Sequence, residues 1–153
     1  MVMEEYLETT YDKFIFRVKV DYHYTQDEFW AEIKGRIAKV GMTDFQQKSK
    51  GDITILNTVA VGTEVKQGQA MGDVETIKAI LDLIAPVTGK VVEVNPELKN
   101  RPYLINHDPY GTGWLYRIEL ANPENDAGAL LSASAYFELM KEKVAQAAKS
   151  LYG

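Results

Sequence analysis

The 153-residue sequence contains no cysteine and only two histidines, His23 and His107. Without cysteine the chain cannot form disulfides, iron–sulfur clusters, thiolate nucleophiles or cysteine zinc sites. The two histidines lie far apart in the sequence, and we predict both to be ordinary surface residues rather than metal ligands. The sequence also lacks a Gly-x-Ser-x-Gly turn, which argues against a serine hydrolase. Few forms of independent catalysis remain.

The sequence is also short of positive charge and of long apolar runs. Its 17 lysines and arginines face 22 acidic residues, giving a net charge of −5. This balance disfavours nucleic-acid binding and binding to anionic membranes. The most apolar stretch, residues 79–87, contains Asp82 and Pro86 and is too short to span a membrane. The acidic start does not resemble a targeting signal, so we expect a cytoplasmic protein with protein partners.

Hydrophobic residues make up 46% of the chain, enough for one folded domain, and short β-strand patterns dominate its first two thirds. Residues 13–22 alternate apolar and polar side chains, which predicts a strand. Residues 29–33 and 37–40 flank Gly35 and predict a hairpin. Residues 44–50 are typical of a short helix or a loop. From residue 53 onward, predicted strands at 53–56, 58–61 and 91–94 are separated by glycines, as in a sandwich or flattened barrel.

Two segments have helical spacing. Val74, Ile77, Leu81 and Ile84 would share one face of a helix, although the surrounding pattern is β, so helix and strand both remain possible there. Near the end, Ser132 precedes residues 133–149, which are rich in good helix formers and predict a capped helix. The residues expected to dock this helix are apolar and spaced along one face: Tyr136, Leu139, Met140, Val144 and Ala147.

Other motifs have simple structural interpretations. Gly111-Thr112-Gly113 has no following Gly-Lys-Ser/Thr element, so we interpret it as a turn rather than a phosphate loop. The aromatic and basic alternation in residues 14–22 is compatible with a base-stacking surface, but the acidity of the chain favours a half-buried strand. Lys78 lies between apolar stretches, and by itself it would be an ordinary exposed side chain.

Three motifs occur in order between residues 24 and 140. Residues 71–82 read Met-Gly-Asp-Val-Glu-Thr-Ile-Lys-Ala-Ile-Leu-Asp, and residues 104–115 read Leu-Ile-Asn-His-Asp-Pro-Tyr-Gly-Thr-Gly-Trp-Leu. Together with residues 24–47, these motifs resemble the glycine cleavage system H-protein family, in which residues 71–82 correspond to the lipoyl-attachment region and residues 24–47 to the opening hairpin. The resemblance implies a mainly β fold, a flattened barrel-sandwich hybrid with a C-terminal α-helix, and the strand pattern of residues 13–22 adds an N-terminal strand that precedes the usual start of the family. It divides the chain into an extension (1–23), a lipoyl-carrier β domain (24–128) and a helix packed on that domain (129–153).

The resemblance also implies a non-catalytic carrier. Lipoic acid would be joined to Lys78 at a hairpin tip by a lipoate ligase or lipoyl transferase, with Glu75 recognised by that enzyme and Ala79 keeping the tip slim. The arm would take an aminomethyl group from glycine decarboxylase (P protein) to the aminomethyltransferase (T protein) and be reoxidised by dihydrolipoyl dehydrogenase (L protein). An exposed tip suits this chemistry because a lysine amine is protonated at neutral pH until an enzyme deprotonates it. Biotin carriers generally have methionines on both sides of the modified lysine, whereas Ile77 and Ala79 stand beside Lys78. Biotin is therefore disfavoured as the attached group.

The chain departs from the family pattern at the first hairpin. Glu28-Phe29-Trp30 stands where the family usually has His-Glu-Trp, so Phe29 replaces a glutamate thought to face the cationic, loaded arm. Glu28 points to the opposite face if the strand register is kept. Asp82 matches a second family carboxylate, so one acidic contact with the loaded arm is expected.

Alternative functions remain for the sequence alone. Phe29 and the added strand favour an H-like lipoate-binding protein of another pathway, such as sulfur oxidation or lipoyl relay. An unmodified binding module of the same fold is a third possibility. An enzyme using Lys78 as a Schiff-base lysine would need that amine desolvated in a pocket, the opposite of an exposed tip.

Overall fold

A computed structural model describes residues 5–152, with side chains described for residues 5–148. The strands are β1 (Tyr6–Tyr11), β2 (Phe14–Lys19), β3 (His23–Tyr24), β4 (Phe29–Lys34), β5 (Ile37–Met42), β6 (Ile53–Thr58), β7 (Glu64–Val65), β8 (Ala70–Thr76), β9 (Ile80–Ile84), β10 (Gly89–Val94) and β11 (Tyr116–Leu120). The α-helices are α1 (Asp44–Lys50), α2 (Leu104–His107), α3 (Pro123–Asp126) and α4 (Ala133–Tyr152), with 3-10 turns at Pro96–Lys99 and Ala127–Ala129. The predicted mainly β fold with a C-terminal helix is confirmed.

Two sheets enclose the main core. One has the strand order β3-β4-β5-β11-β10-β7, and the other has the order β6-β8-β9. Both contribute to one buried apolar cluster that includes Val40 from β5, Val74 from β8, Leu83 from β9 and Ile118 from β11. The sheets stay separate and do not close into a true barrel. This arrangement fits the expected flattened barrel-sandwich.

A second apolar core joins α4 to the opposite face of β4. Successive strand residues point to opposite faces, so Phe29 belongs to the first core and Trp30 to the second. The Trp30 indole donates to the carbonyl of Pro109 at 2.9 Å. The rings of Tyr24 and Tyr136 stack with centroids 4.5 Å apart. The helix is therefore fixed to the β domain by aromatic packing.

The N-terminal extension contains two strands where the sequence pattern predicts one. β2 falls within predicted residues 13–22, and it pairs antiparallel with β1, which the pattern does not predict. Phe16 and Val18 are buried, but Phe14 is 46% exposed because the hairpin covers the second core with only part of its length. Residues 1–4 of the extension lie outside the described residues.

Several local predictions are confirmed and one is wrong. The β4–β5 hairpin turns at Gly35, whose φ of +62° suits glycine. Residues 44–50 form α1, capped by the Thr43 hydroxyl, which accepts from the Gln46 amide at 3.2 Å. The predicted strand at 58–61 is wrong because β6 ends at Thr58. The next amide, that of Val59, donates to the Tyr116 hydroxyl at 3.1 Å instead of to a strand.

The long C-terminal helix begins where predicted. The Ser132 hydroxyl accepts from the Ala135 amide at 3.1 Å, as an N-cap residue does. Tyr136, Met140 and Val144 are buried as expected. Among the side chains described, up to residue 148, Ala148 is buried whereas Ala147 is exposed, so the docked face shifts by one residue at this point of the helix.

Candidate functional site

Lys78 lies at the tip of the β8–β9 hairpin and its side chain is exposed. The two strands pair antiparallel, with Glu75 opposite Ile80. The helical alternative for residues 74–84 is therefore wrong. The apolar residues that suggested it separate in the structure, since Val74 is buried whereas Ile77 is 87% exposed at the tip.

The hairpin tip is organised by the side chain of Thr76. The Thr76 amide donates to the carbonyl of Ala79 at 2.9 Å, which closes a tight turn with Ile77 and Lys78 at its centre. The Thr76 hydroxyl accepts from the amides of Lys78 and Ala79, both at 3.2 Å. These bonds give the amides of Thr76, Lys78 and Ala79 acceptors within the turn itself.

The strands that carry the tip are braced from β6. The Thr54 hydroxyl donates to the carbonyl of Glu75 at 3.1 Å, and the Asn57 amide group donates to Asp73 at 2.7 Å. Gly72 has a φ of +115°, and a Cβ there would lie 2.4 Å from the Asn57 carbonyl oxygen. Only glycine allows this close approach between β6 and β8. Strand β8, which leads to the tip, is therefore held closely by β6.

The outer face of this sheet is acidic. Asp73 and Glu75 are two residues apart on β8 and share a face, and Asp82 is paired opposite Asp73 on β9. Val74 and Leu83 point the other way, into the main core. Asp82 is exposed and Glu75 is half-buried, so their carboxylates face the surface beside the tip.

Phe29, the departure from the family glutamate, is 1% exposed within the main core and pairs with Met42. Its neighbour Glu28 points to the C-terminal helix. The hydroxyls of Thr43 (2.8 Å) and Tyr136 donate to the Glu28 carboxylate, and Lys143 donates to it at 2.6 Å. Burial, and secondarily the Glu28 carboxylate, raise the pKa of Tyr136 well above its usual range. Glu28 therefore has a structural role, since its carboxylate is held by Thr43, Tyr136 and Lys143.

The other sequence candidates do not assemble into a reactive site. His23 begins β3 and is exposed, and His107 is exposed at the end of α2 with its ring centroid 5.1 Å from that of Tyr103. Gly113 donates its amide to the Asp108 carbonyl at 2.9 Å, so residues 111–113 form a turn, as predicted. Within residues 5–152 no three histidine or acidic side chains are grouped to hold a metal. No helix in the described part of the chain is long and apolar enough to cross a membrane.

Comparison with known proteins identifies the relatives of this fold and site. The family model described as Glycine cleavage H-protein matches residues 22–143. The chain belongs to this family. The glycine cleavage system H protein of Carboxydothermus hydrogenoformans is 44% identical over 126 residues, covering 82% of this chain and 96% of that protein. The probable glycine cleavage system H protein of Aeropyrum pernix is 39% identical over 128 residues, covering 84% and 89%.

A solved H-protein structure agrees with these sequence matches. The crystal structure of a glycine cleavage system H protein from Mycobacterium marinum superposes with a TM-score of 0.69 and 36% sequence identity. It covers 78% of this chain and 95% of that one. Strands β1 and β2 precede the segment that the H-protein family model matches. The N-terminal hairpin is thus an addition to the matched region.

Two residues of the site were missed in the sequence. Thr76 holds the turn, and its role could have been predicted from the sequence. A threonine hydroxyl often bonds to the backbone amide two residues further along in a turn, here that of Lys78. Asp73 joins Glu75 and Asp82 only through the pairing of β8 with β9. That register includes a shift between Ala70 and Asp73, which no periodicity in the sequence reveals.

Proposed function

We propose that this protein is a lipoyl carrier of the glycine cleavage H type, with lipoic acid joined as an amide to Lys78. The observation that carries the proposal is an exposed lysine at the centre of a self-contained hairpin turn. The turn fits the group: the Lys78 amine projects from a slim tip that a modifying enzyme can enclose, and its backbone needs no partner that attachment would disturb. Residues 24–128 would form the carrier domain.

Each residue near the tip has a distinct task in this proposal. Lys78 provides the nitrogen of the amide bond. Glu75, half-buried on β8, presents a carboxylate to the lipoate ligase or lipoyl transferase. Ala79, exposed beside the lysine, leaves room for the active site of that enzyme. Specificity for the lysine thus comes from its place in the turn and from one nearby charge.

The acidic outer face would attract a positively charged amine at the end of the arm. A bound lipoyl group would supply a cyclic disulfide whose S–S bond breaks as one sulfur takes the aminomethyl group and the other sulfur becomes a thiol. Asp82, together with Asp73 and Glu75, supplies negative charge beside the tip. Neither Phe29, buried in the core, nor Glu28, bound to Tyr136 and Lys143, offers a free carboxylate.

The proposed partners follow from the carrier role. Glycine decarboxylase (P protein), the aminomethyltransferase (T protein) and dihydrolipoyl dehydrogenase (L protein) would act on the arm in turn. The chain itself would perform no catalysis, since its task is to present one side chain to other active sites. Exposure of the tip is what makes such serial visits possible.

A second candidate is an H-like lipoyl carrier of another pathway, such as sulfur oxidation or lipoyl relay. Two observations favour it. Phe29 is packed in the main core where the family usually has a glutamate, and the β1–β2 hairpin lies outside the family match. Both alter the surroundings of the arm without altering the attachment turn.

Intact mass spectrometry after incubation with a lipoate ligase, lipoic acid and ATP tests the attachment. We expect wild type to gain one lipoyl group and Lys78→Arg to gain none. Lys90→Arg is the matched control because Lys90 is an exposed lysine too, but lies on strand β10 instead of at a hairpin tip, and this variant should be modified like wild type. Wild type that stays unmodified, beside a control H protein that is modified, would leave only the binding-module alternative.

An exchange assay separates the two carrier pathways. Lipoylated protein is mixed with glycine decarboxylase, and the exchange of labelled bicarbonate into glycine is measured. Exchange above that of the Lys78→Arg variant supports glycine cleavage. No exchange from fully lipoylated protein would instead support the second candidate.

A further inference from the structure

A groove of about 500 Å³ lies beside the hairpin tip and is built largely from parts of the chain outside the family match. It lies between the N-terminal hairpin, α1 and the last turns of α4. Its principal lining residues are apolar or belong to the attachment site: Phe14, Phe16, Phe45, Val144, Ala147 and Lys78. Phe14 and Phe16 precede the matched segment, and Val144 and Ala147 follow it.

We propose that this groove receives the lipoyl arm in its resting, oxidised form; the inference rests on the proposed attachment to Lys78. The decisive observation is that Lys78 itself lines the groove. An arm attached there begins at the groove, so binding is intramolecular and its effective concentration is high. The occupant is thus defined as an aliphatic chain ending in an uncharged dithiolane ring.

The walls match the chemistry of that occupant. Phe14 is 46% exposed and its ring stacks on Phe16, with centroids 6.2 Å apart. Covering these rings with methylene groups and a polarisable sulfur ring removes apolar surface from water on both sides. The helical wall contributes small side chains such as Ala147, which leave space instead of filling it.

Apolar side chains, more than charged ones, make up the lining of the groove, and this favours the uncharged form of the arm. Its charged lining residues are Asp12, Lys48 and Lys78. The Lys48 ammonium donates to the Asp44 carboxylate at 2.9 Å and also to the carbonyl of Ile15, so its charge is already compensated. Amide formation removes the charge of Lys78.

The groove is distinct from the acidic face described above. Neither Asp82 nor Phe29 lines it. A cationic, loaded arm would be drawn to the outer carboxylates, whereas the neutral disulfide would lie against the aromatic wall of the added hairpin. The extension therefore gives the arm a second resting place that is absent from the segment matched by the family model.

The rate of disulfide reduction measures how much of the time the arm is sheltered. Fully lipoylated, full-length protein is treated with a water-soluble phosphine, and loss of the near-ultraviolet dithiolane absorbance is followed. The phosphine becomes its oxide, water supplies the oxygen and both protons, and the disulfide becomes a dithiol. Ala147→Trp fills the groove from an exposed helix position. Ala145→Trp is the matched control, since Ala145 is exposed on the same helix and does not line the groove.

We expect wild type to be reduced more slowly than free lipoamide. An arm that is docked about two thirds of the time exposes its disulfide for about one third of the time. If Ala147→Trp prevents docking, the disulfide of this variant should be reduced at least about threefold faster than that of wild type. Ala145→Trp should match wild type. Equal reduction rates in all three proteins, or equal acceleration by both tryptophan variants, would contradict docking of the arm in the groove. The proposed lipoyl attachment to Lys78 would be unaffected by either result. Failure of wild type to be lipoylated at all would overturn both proposals.

Discussion

Glu28 combines a buried carboxylate with an unfavourable backbone conformation. Its φ is +75°, a region that non-glycine residues rarely adopt, and its side chain is almost fully buried. Thr43, Tyr136 and Lys143 all donate to this carboxylate. The strain is tolerated because this one side chain connects the start of β4 to residues of α4 and to the N-cap of α1.

Replacing Glu28 should separate the contribution of its contacts from that of its strain. Glu28→Ala leaves two buried hydroxyls without this acceptor and removes the carboxylate from Lys143, which keeps only its bond to the carbonyl of Gln26 among the contacts described for it. We expect a loss of about 3 kcal/mol in the free energy of unfolding. Glu28→Gly loses the same contacts but relieves the left-handed backbone, so its loss should be about 1 kcal/mol smaller.

Urea unfolding followed by tryptophan fluorescence measures both variants. Glu138→Ala is the control, because Glu138 is an exposed residue of α4 whose carboxylate pairs with Lys141 at the surface, at 2.9 Å. Its effect should be within about 0.5 kcal/mol. A Glu28→Ala protein as stable as this control would show that the cluster does not hold the helix.

At the scale of the element, the β8–β9 hairpin depends on one hydroxyl at its tip. Thr76→Val removes the acceptor for the amides of Lys78 and Ala79. Because these amides are at the surface, water replaces the hydroxyl, and the free energy of unfolding should change by less than about 0.5 kcal/mol. The lysine should lose its fixed presentation, and the initial rate of lipoylation should fall on the order of tenfold.

The measurement is a time course of lipoylation by intact mass. Thr76→Ser keeps the hydroxyl and should be modified at nearly the wild-type rate. If valine and serine variants are modified equally fast, the ligase itself shapes the turn and the hydrogen bonds seen here are incidental to recognition.

Elements differ in how much of them the sequence could predict. Helix α4 and the β4–β5 hairpin carry strong local signals, Ser132 as a cap and Gly35 at a turn, and both were predicted correctly. Strand β1 was missed because Tyr6–Tyr11 has no fully buried residue, so its side chains show no clear alternation. Lys78 was found through a motif, since periodicity alone left helix and strand open.

Features formed by distant segments could not be predicted. Glu28 meets Tyr136 and Lys143 across more than a hundred residues, and neither spacing nor composition connects them. The groove beside Lys78 likewise needs β2, α1 and α4 to come together. Such features depend on packing, which the one-dimensional pattern does not contain.

At the scale of the whole molecule, buried tyrosines make stability sensitive to alkali. Burial raises the pKa values of Tyr24, Tyr110, Tyr116 and Tyr136 above the ordinary value of 10.0. The folded state therefore holds these protons more tightly than the unfolded state. Their contribution is fully present below about pH 10 and is lost as the pH rises further, by up to about 1.4 kcal/mol per pH unit for each tyrosine.

Urea unfolding at a series of pH values checks this expectation. The free energy of unfolding should be level near pH 9 and fall above about pH 10. Tyr116→Phe removes one of these tyrosine protons, whose hydroxyl is buried and donates to the carbonyl of Met71 at 2.6 Å. The slope of the free energy of unfolding against pH should therefore be smaller by up to about 1.4 kcal/mol per pH unit. Tyr103→Phe is the matched control for the substitution itself, because Tyr103 is 44% exposed.

The amides of Thr76, Lys78 and Ala79 all find acceptors within the hairpin turn itself. Under the proposed attachment, the unmodified turn therefore already has the shape that a ligase would recognise. Cells short of lipoate would then accumulate a folded, unmodified carrier, which would be loaded when the supply recovers without renewed translation.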